Sequence, residues 1–311
     1  MGTQSDTALS TAYTLISSGE YSSANALLEE ALSSDLENDA IIFTASCCNI
    51  WQETMSTLEG LPPYEQGEEL LLTWKQRFMT FVKDQKYTSE QTIHVFRKSI
   101  FSYALAQYSK IYNDTDTKVH ADVSRKMGYC HKQLGDYEVA LKYLTEANST
   151  IDGQACILAE MGDCYDLCGE TKFAKAIFRE AFFVNAEEVD LSFLESPLIT
   201  TLIDKVRSKG YTGKELLEWL PVYGTLYGIF NVRRTLKSQE VVRLRQDIYA
   251  LKNELKDPAN DSKIITPRLL NMYFWLIDYY DLSGESSSRI REALNEIKLL
   301  DENIFALYAG K

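Results

Sequence analysis

The sequence predicts an all-α protein, a right-handed solenoid of stacked antiparallel helix hairpins with irregular units. Three observations carry this. Two segments repeat each other at a separation of 34, with "SRKMGYCH" from Ser124 falling on "LAEMGDCY" from Leu158. Six prolines and fifteen glycines in 311 residues are too few for a turn-rich β protein and suit long helices. Apolar residues recur at three-four spacing in one segment after another, the period of a helix with one buried face.

The repeat is defined at several positions. Gly128 aligns with Gly162, Gly135 with Gly169, Ala140 with Ala174, Leu144 with Phe178 and Ala147 with Ala181. Gly128 and Gly162 would let two helices approach closely, and the alanines would supply the facing small surface. Gly135 and Gly169 would end the first helix of each hairpin. A third copy opens the chain: Gly19, Tyr21, Ala24, Leu28 and Ala31 keep the spacing of Gly135 to Ala147, after a first helix over about 6–17. Its offset of 116 from the later copy is not a multiple of 34, so the intervening segment is irregular.

This pattern resembles the tetratricopeptide repeat (TPR), whose unit reads W-x2-L-G-x2-Y, then A-x3-F. Met127-Gly128 and Met161-Gly162 take the L-G place, Tyr165 the tyrosine, and Ala140…Leu144 and Ala174…Phe178 the A-x3-F. Ser124 and Leu158 stand at the tryptophan place, His131 replaces the tyrosine, and Asp152 and Ala186 stand where a closing proline is common. The resemblance covers about 120–186 and, more loosely, 5–36.

The remaining segments read as further helices. One spans about 39–58 and is broken by Pro62-Pro63. Another spans about 68–82, with Leu70, Leu71, Trp74 and Phe78 on one face. Thr88 and Gln91 form a capping-box pattern before a helix to about residue 112, and "NDTDTK" is a turn. Thr212 and Glu215 form another such pattern, which displaces a phosphate-loop reading of Gly213-Lys214. Ser196-Pro197 and Thr266-Pro267 look like helix starts. "LLEWLPVYGTLYGIFNV" from Leu216 to Val232 reads as a buried helix, being too short and too interrupted to span a bilayer. Val241, Leu244, Ile248, Leu251 and Leu255 form an apolar stripe that would dock on the array or on a second copy. A last helix pair is hinged at Gly284. The repeat signature fades after Ala186, which divides the chain into an N-terminal array, 1–186, and divergent C-terminal helices, 187–311.

Composition narrows the function. Acidic residues exceed basic ones by 45 to 32, a net charge of −13 that disfavours general nucleic-acid binding and favours basic partners. Arg233, Arg234, Lys237, Arg243 and Arg245 are the local basic exception, a minority nucleic-acid face. Cys130-His131 invites a metal or nucleophile reading, but its place in the repeat makes it packing. Cys47, Cys48, Cys156, Cys164 and Cys168 do not form a disulfide framework; free thiols in a reducing, cytoplasmic setting are expected. No secretory leader is visible in "MGTQSDTALS", and no membrane span is expected.

The resemblance implies a non-catalytic adaptor or scaffold that holds a peptide or partner helix against first-helix side chains. Carried over by position, these are Asp122, Arg125, Tyr129, Lys132 and Gln133 in one unit. The next contributes Ala159, Asp163, Asp166 and Leu167, and the first contributes Asp6, Leu9 and Tyr13. No cofactor, catalytic set or metal site is expected, and the chain would act as a monomer or homodimer. The alternatives are self-assembly through the 241–255 stripe and nucleic-acid contact through the 233–245 face.

Overall fold

The computed structural model describes residues 2–113, 116–151 and 153–310, with side chains from residue 4. All regular structure among them is helical. Residues cluster into two compact units, 1–150 and 151–311. This division follows contacts, whereas the expected one at 186/187 follows the fading of the repeat signature.

The first unit begins with α1 (Gly2–Ser17), α2 (Tyr21–Ser34) and α3 (Asp39–Leu58). Then α4 (Pro63–Leu72), a π-helical stretch (Thr73–Phe78) and α5 (Met79–Asp84) run on from one another. The widened π turn sets Trp74 and Phe78 into the core, where Phe78 lies 5.5 Å from the Trp51 ring. α6 (Glu90–Ser109), α7 (Thr117–Leu134) and α8 (Tyr137–Thr150) complete the unit. The second unit holds α9 (Ala155–Leu167), α10 (Thr171–Asn185), α11 (Pro197–Arg207), α12 (Gly213–Leu226), α13 (Ser238–Glu254), α14 (Ser262–Leu282), α15 (Ser287–Leu300) and α16 (Glu302–Ala309). Helices adjacent in sequence pack on one another as hairpins in both units.

One turn chemistry recurs. At Gly135, in the left-handed region at φ 87°, its own N–H reaches the Lys132 carbonyl and that of Asp136 reaches His131, closing α7. Gly19, Gly169 and Gly284 make the equivalent pairs of bonds at the ends of α1, α9 and α14. The hinge expected at Gly284 is one of these.

The packing behind the repeat is equally regular. Ala24, Leu28, Ala140, Leu144, Ala174 and Phe178 are all fully buried. A Cβ on Gly128 would stand 2.8 Å from Leu144 Cγ, and one on Gly162 would stand 3.0 Å from the Phe178 ring. The bulky second-helix residue therefore lies directly over the glycine. Burying such a side chain contributes roughly 2–3 kcal/mol.

Several local expectations change. α4 begins at Pro63, earlier than 68, because proline is accommodated at the first helical position. α6 is capped by Ser89, whose Oγ accepts the Thr92 N–H at 3.2 Å, and not by Thr88. Thr212 precedes α12 but makes no side-chain cap bond. α14 starts at Ser262 behind Asp261, so Pro267 lies inside the helix and does not open it. Ser196-Pro197 does open α11. Asp114 and Thr115 of the expected turn, and Asp152, lie outside the described residues.

Candidate functional site

The first-helix positions divide by what covers them. Tyr129, Lys132, Gln133 and Asp163 are buried. Asp122, Arg125, Asp166 and Tyr13 are half-buried. Tyr129 meets the Phe101 ring edge-on at 5.6 Å and has Lys132 Nζ 5.4 Å from its own ring centre. Asp122 accepts a 2.6 Å hydrogen bond from the Tyr64 hydroxyl, and Tyr13 shares a 3.0 Å hydroxyl contact with Thr92. These side chains spend their polar groups within their own unit.

In the second unit, Asp163 accepts the backbone N–H of Glu195 at 3.0 Å and that of Ser196 at 2.8 Å. Asp166 does the same for Leu198 at 3.0 Å. Together these two carboxylates hold the segment that leads into α11. Ala159 is buried and Leu167 half-buried, while Asp6 is exposed and Leu9 half-buried.

The cysteine–histidine pair resolves into packing. Cys130 is fully buried, and burial pushes its thiol pKa up. His131 stacks on Tyr143 at 5.4 Å, with planes 8° apart. Burial also raises Cys48 to about 12 and raises Cys47, so these thiols stay protonated at neutral pH. No metal-binding cluster is present among the described residues. No described helix is long and apolar enough to cross a membrane.

The two C-terminal surfaces singled out by sequence are largely engaged. Val241, Leu244, Ile248 and Leu251 are buried within the second unit, where α13 packs on α14. A second copy would need another surface. Arg234 is held by Glu180 at 2.5 Å and by Glu240 at 2.8 Å. Arg233 bonds Asp278 and Asp281, and Arg245 lies over the Tyr280 ring at 5.6 Å. Carboxylates and rings thus take up much of the basic face.

Two further features stand out in the structure. The first is the distribution of charge: residues 1–74 contain twelve Asp and Glu and no Lys, Arg or His. Most of the chain's net charge of −13 therefore sits on α1–α4 and their turns. Asp6, Glu30, Glu37 and Asp39 are exposed there without a cationic partner among the described residues. Leu36 and Ile42, 73% and 40% exposed, flank Glu37 and Asp39 in sequence, Leu36 in the α2–α3 turn and Ile42 in the first turn of α3. A charge count by segment would have found this.

The second feature is residues 227–237, a non-helical strap between α12 and α13 that replaces the helix expected to run on to Val232, because α12 ends at Leu226 before Gly228 in the left-handed region. Phe230 is buried against Phe182 at 5.7 Å, and Leu236 is buried too. Arg179, itself 3% exposed, donates to the Val232 carbonyl at 3.2 Å, pairs with Asp278 and stacks 4.4 Å from the Trp275 ring. Non-local side chains, not a local period, fix this segment, so its apolar sequence reads as helix although the chain is non-helical there.

No protein-family model matches the chain, and no curated protein matches it.

Proposed function

We propose that the chain is a non-catalytic adaptor of the tetratricopeptide kind that receives a basic partner segment on the acidic surface of α1–α3. The supporting observation is the run of 74 residues with twelve carboxylates and no cation. Glu53 and Glu68 pair with Arg77 and Lys126 from outside the run, while the unpaired exposed carboxylates such as Glu37 and Asp39 raise the local concentration of an opposite partner and steer its approach. Leu36 and Ile42 give that partner apolar contact beside the charge. Hairpins joined by identical glycine turns provide a rigid support for such a surface.

The test is affinity capture from source-cell lysate with wild type and with Glu30→Gln/Glu37→Gln/Asp39→Asn, at equal helicity. Basic proteins held by wild type should be lost from the variant. They should also elute at about 1 M salt, where the screening length is only about 3 Å. Partners retained by the variant in high salt would place binding elsewhere and sink this reading.

A further inference from the structure

The acidic run of α1–α4 is followed at once by its opposite. Residues 75–112 contain seven Lys and Arg against two carboxylates, Asp84 and Glu90. Lys83 lies at the end of α5, Lys86 in the turn that follows, and Lys98 on α6. All three are exposed and pair with no carboxylate among the described residues. Arg97 is the sharpest case. It is half-buried, its guanidinium lies 5.9 Å from the centre of the Trp74 ring, and its Nε is enclosed without a hydrogen-bond partner. A cation withdrawn from water is ordinarily matched by an anion, and no described residue supplies one.

This basic surface adjoins the acidic one within the first unit. The Thr92 hydroxyl on α6 lies 3.0 Å from that of Tyr13 and 2.9 Å from that of Thr44, and Ser99 lies 2.7 Å from the Tyr21 hydroxyl. The Tyr87 ring meets Phe43, next to Ile42, edge-on at 6.3 Å. Hydroxyls and rings make these contacts, so the charges on either side stay at the surface. Exposed Tyr87 and Tyr103 accompany the cations as Leu36 and Ile42 accompany the carboxylates.

We propose that the basic partner is a second copy of this chain, the acidic surface of α2–α3 on each copy facing the basic surface of α5–α6 on the other. This rests on the acidic-surface reading and names its partner. Two unlike surfaces side by side are self-complementary about a two-fold axis between them, so every contact is made twice. The pairing also sets the negative charge concentrated in residues 1–74 against cations, where a single copy leaves it to repel itself.

The experiment is sedimentation velocity of the full chain across a concentration series. At about 0.1 M salt wild type should run as a dimer, at twice the 35.5 kDa of the chain. At about 1 M salt it should run as a monomer, since the screening length falls from about 10 Å to about 3 Å. Glu30→Lys/Glu37→Lys/Asp39→Lys and Lys83→Glu/Lys86→Glu/Lys98→Glu, each checked for wild-type helicity, should be monomeric alone and should form a mixed dimer when combined. Arg97 is left in place because it packs on Trp74. A wild type that is monomeric at about 0.1 M salt overturns the proposal, as does a dimer that persists in both variants or at about 1 M salt. Variants that stay monomeric on mixing overturn it too. A monomeric wild type that binds polyglutamate, with binding lost in the Lys83/Lys86/Lys98 variant, overturns it in favour of a separate acidic partner. If wild type is monomeric yet captures basic proteins that Glu30→Gln/Glu37→Gln/Asp39→Asn loses, the acidic-surface reading stands and this proposal alone fails.

Discussion

The carboxylate of Asp163 on α9 accepts the backbone N–H of Ser196 at 2.8 Å and, with both oxygens, that of Glu195 at 3.0 Å. Asp163 is fully buried, so it does for the start of α11 what a local cap does elsewhere, from 33 residues away. Asp163→Ala strands buried donors and should cost about 2–4 kcal/mol in a urea titration. Asp163→Asn keeps one acceptor and should cost less. Equal stabilities of wild type and Asp163→Ala would remove this role.

The glycines at the hairpin crossings are sites of contact, not of conformational freedom. Gly128→Ala and Gly162→Ala each add helix propensity worth about 1 kcal/mol, but they place a methyl inside Leu144 or against Phe178. A net loss of about 1–3 kcal/mol is expected for each by thermal or urea unfolding. Gly128→Ala combined with Leu144→Ala should show strong non-additivity, since one removes what the other strikes.

His120 ties the end of α6 to α8. Its Nδ1 lies 2.8 Å from the Tyr112 carbonyl and its Nε2 2.9 Å from Glu146. Two acceptors favour the doubly protonated ring, and the Tyr112 carbonyl first, then Glu146, raise its pKa above the ordinary histidine value. A raised folded pKa means that this stabilisation is complete below the unfolded value of about 6.5 and fades as pH climbs through the folded one. Wild type should therefore lose stability relative to His120→Gln as pH rises from about 6.5 through the raised folded value. Urea midpoints with an NMR titration of the ring would show it, and parallel pH profiles for the two proteins would refute it.

Arg179 and Asp278 form the buried ion pair of the second unit. Asp278→Ala leaves a guanidinium enclosed without its anion and should cost about 3–5 kcal/mol. Glu53→Ala, which breaks the exposed pair with Arg77, should cost less than about 1 kcal/mol. Comparable losses from the two would mean that burial does not set the difference.

Legibility followed the range of the interactions. The helix over 39–58 and the glycine turns at 135, 169 and 284 depend on residues a few positions apart, and they lie where the sequence places them. Thr88, Thr212 and Thr266 make no cap bond, because each sits near a helix start where another local group, or none, makes the cap. The first-helix residues were placed on the right helices, yet their burial could not be read from them. Asp163 and Lys132 look like surface residues by type, and only the elements packed over them make them interior.

The sequence by itself determined an all-α chain of helix hairpins, the fully buried Ala24, Ala140, Ala174 and Leu/Phe positions of the repeat, and an N-terminal stretch without a single cation. These follow from local period, turn chemistry and composition. The tertiary structure alone decided which carboxylates became backbone acceptors, that Val241, Leu244, Ile248 and Leu251 are covered within their own unit, and that the strap brings Arg179, Arg233 and Asp278 together. Those outcomes join residues 30 to 100 positions apart, on the scale of the Asp163–Ser196 and Arg179–Asp278 separations. Packing and desolvation, which no local pattern encodes, select among the partners that a one-dimensional reading leaves equivalent.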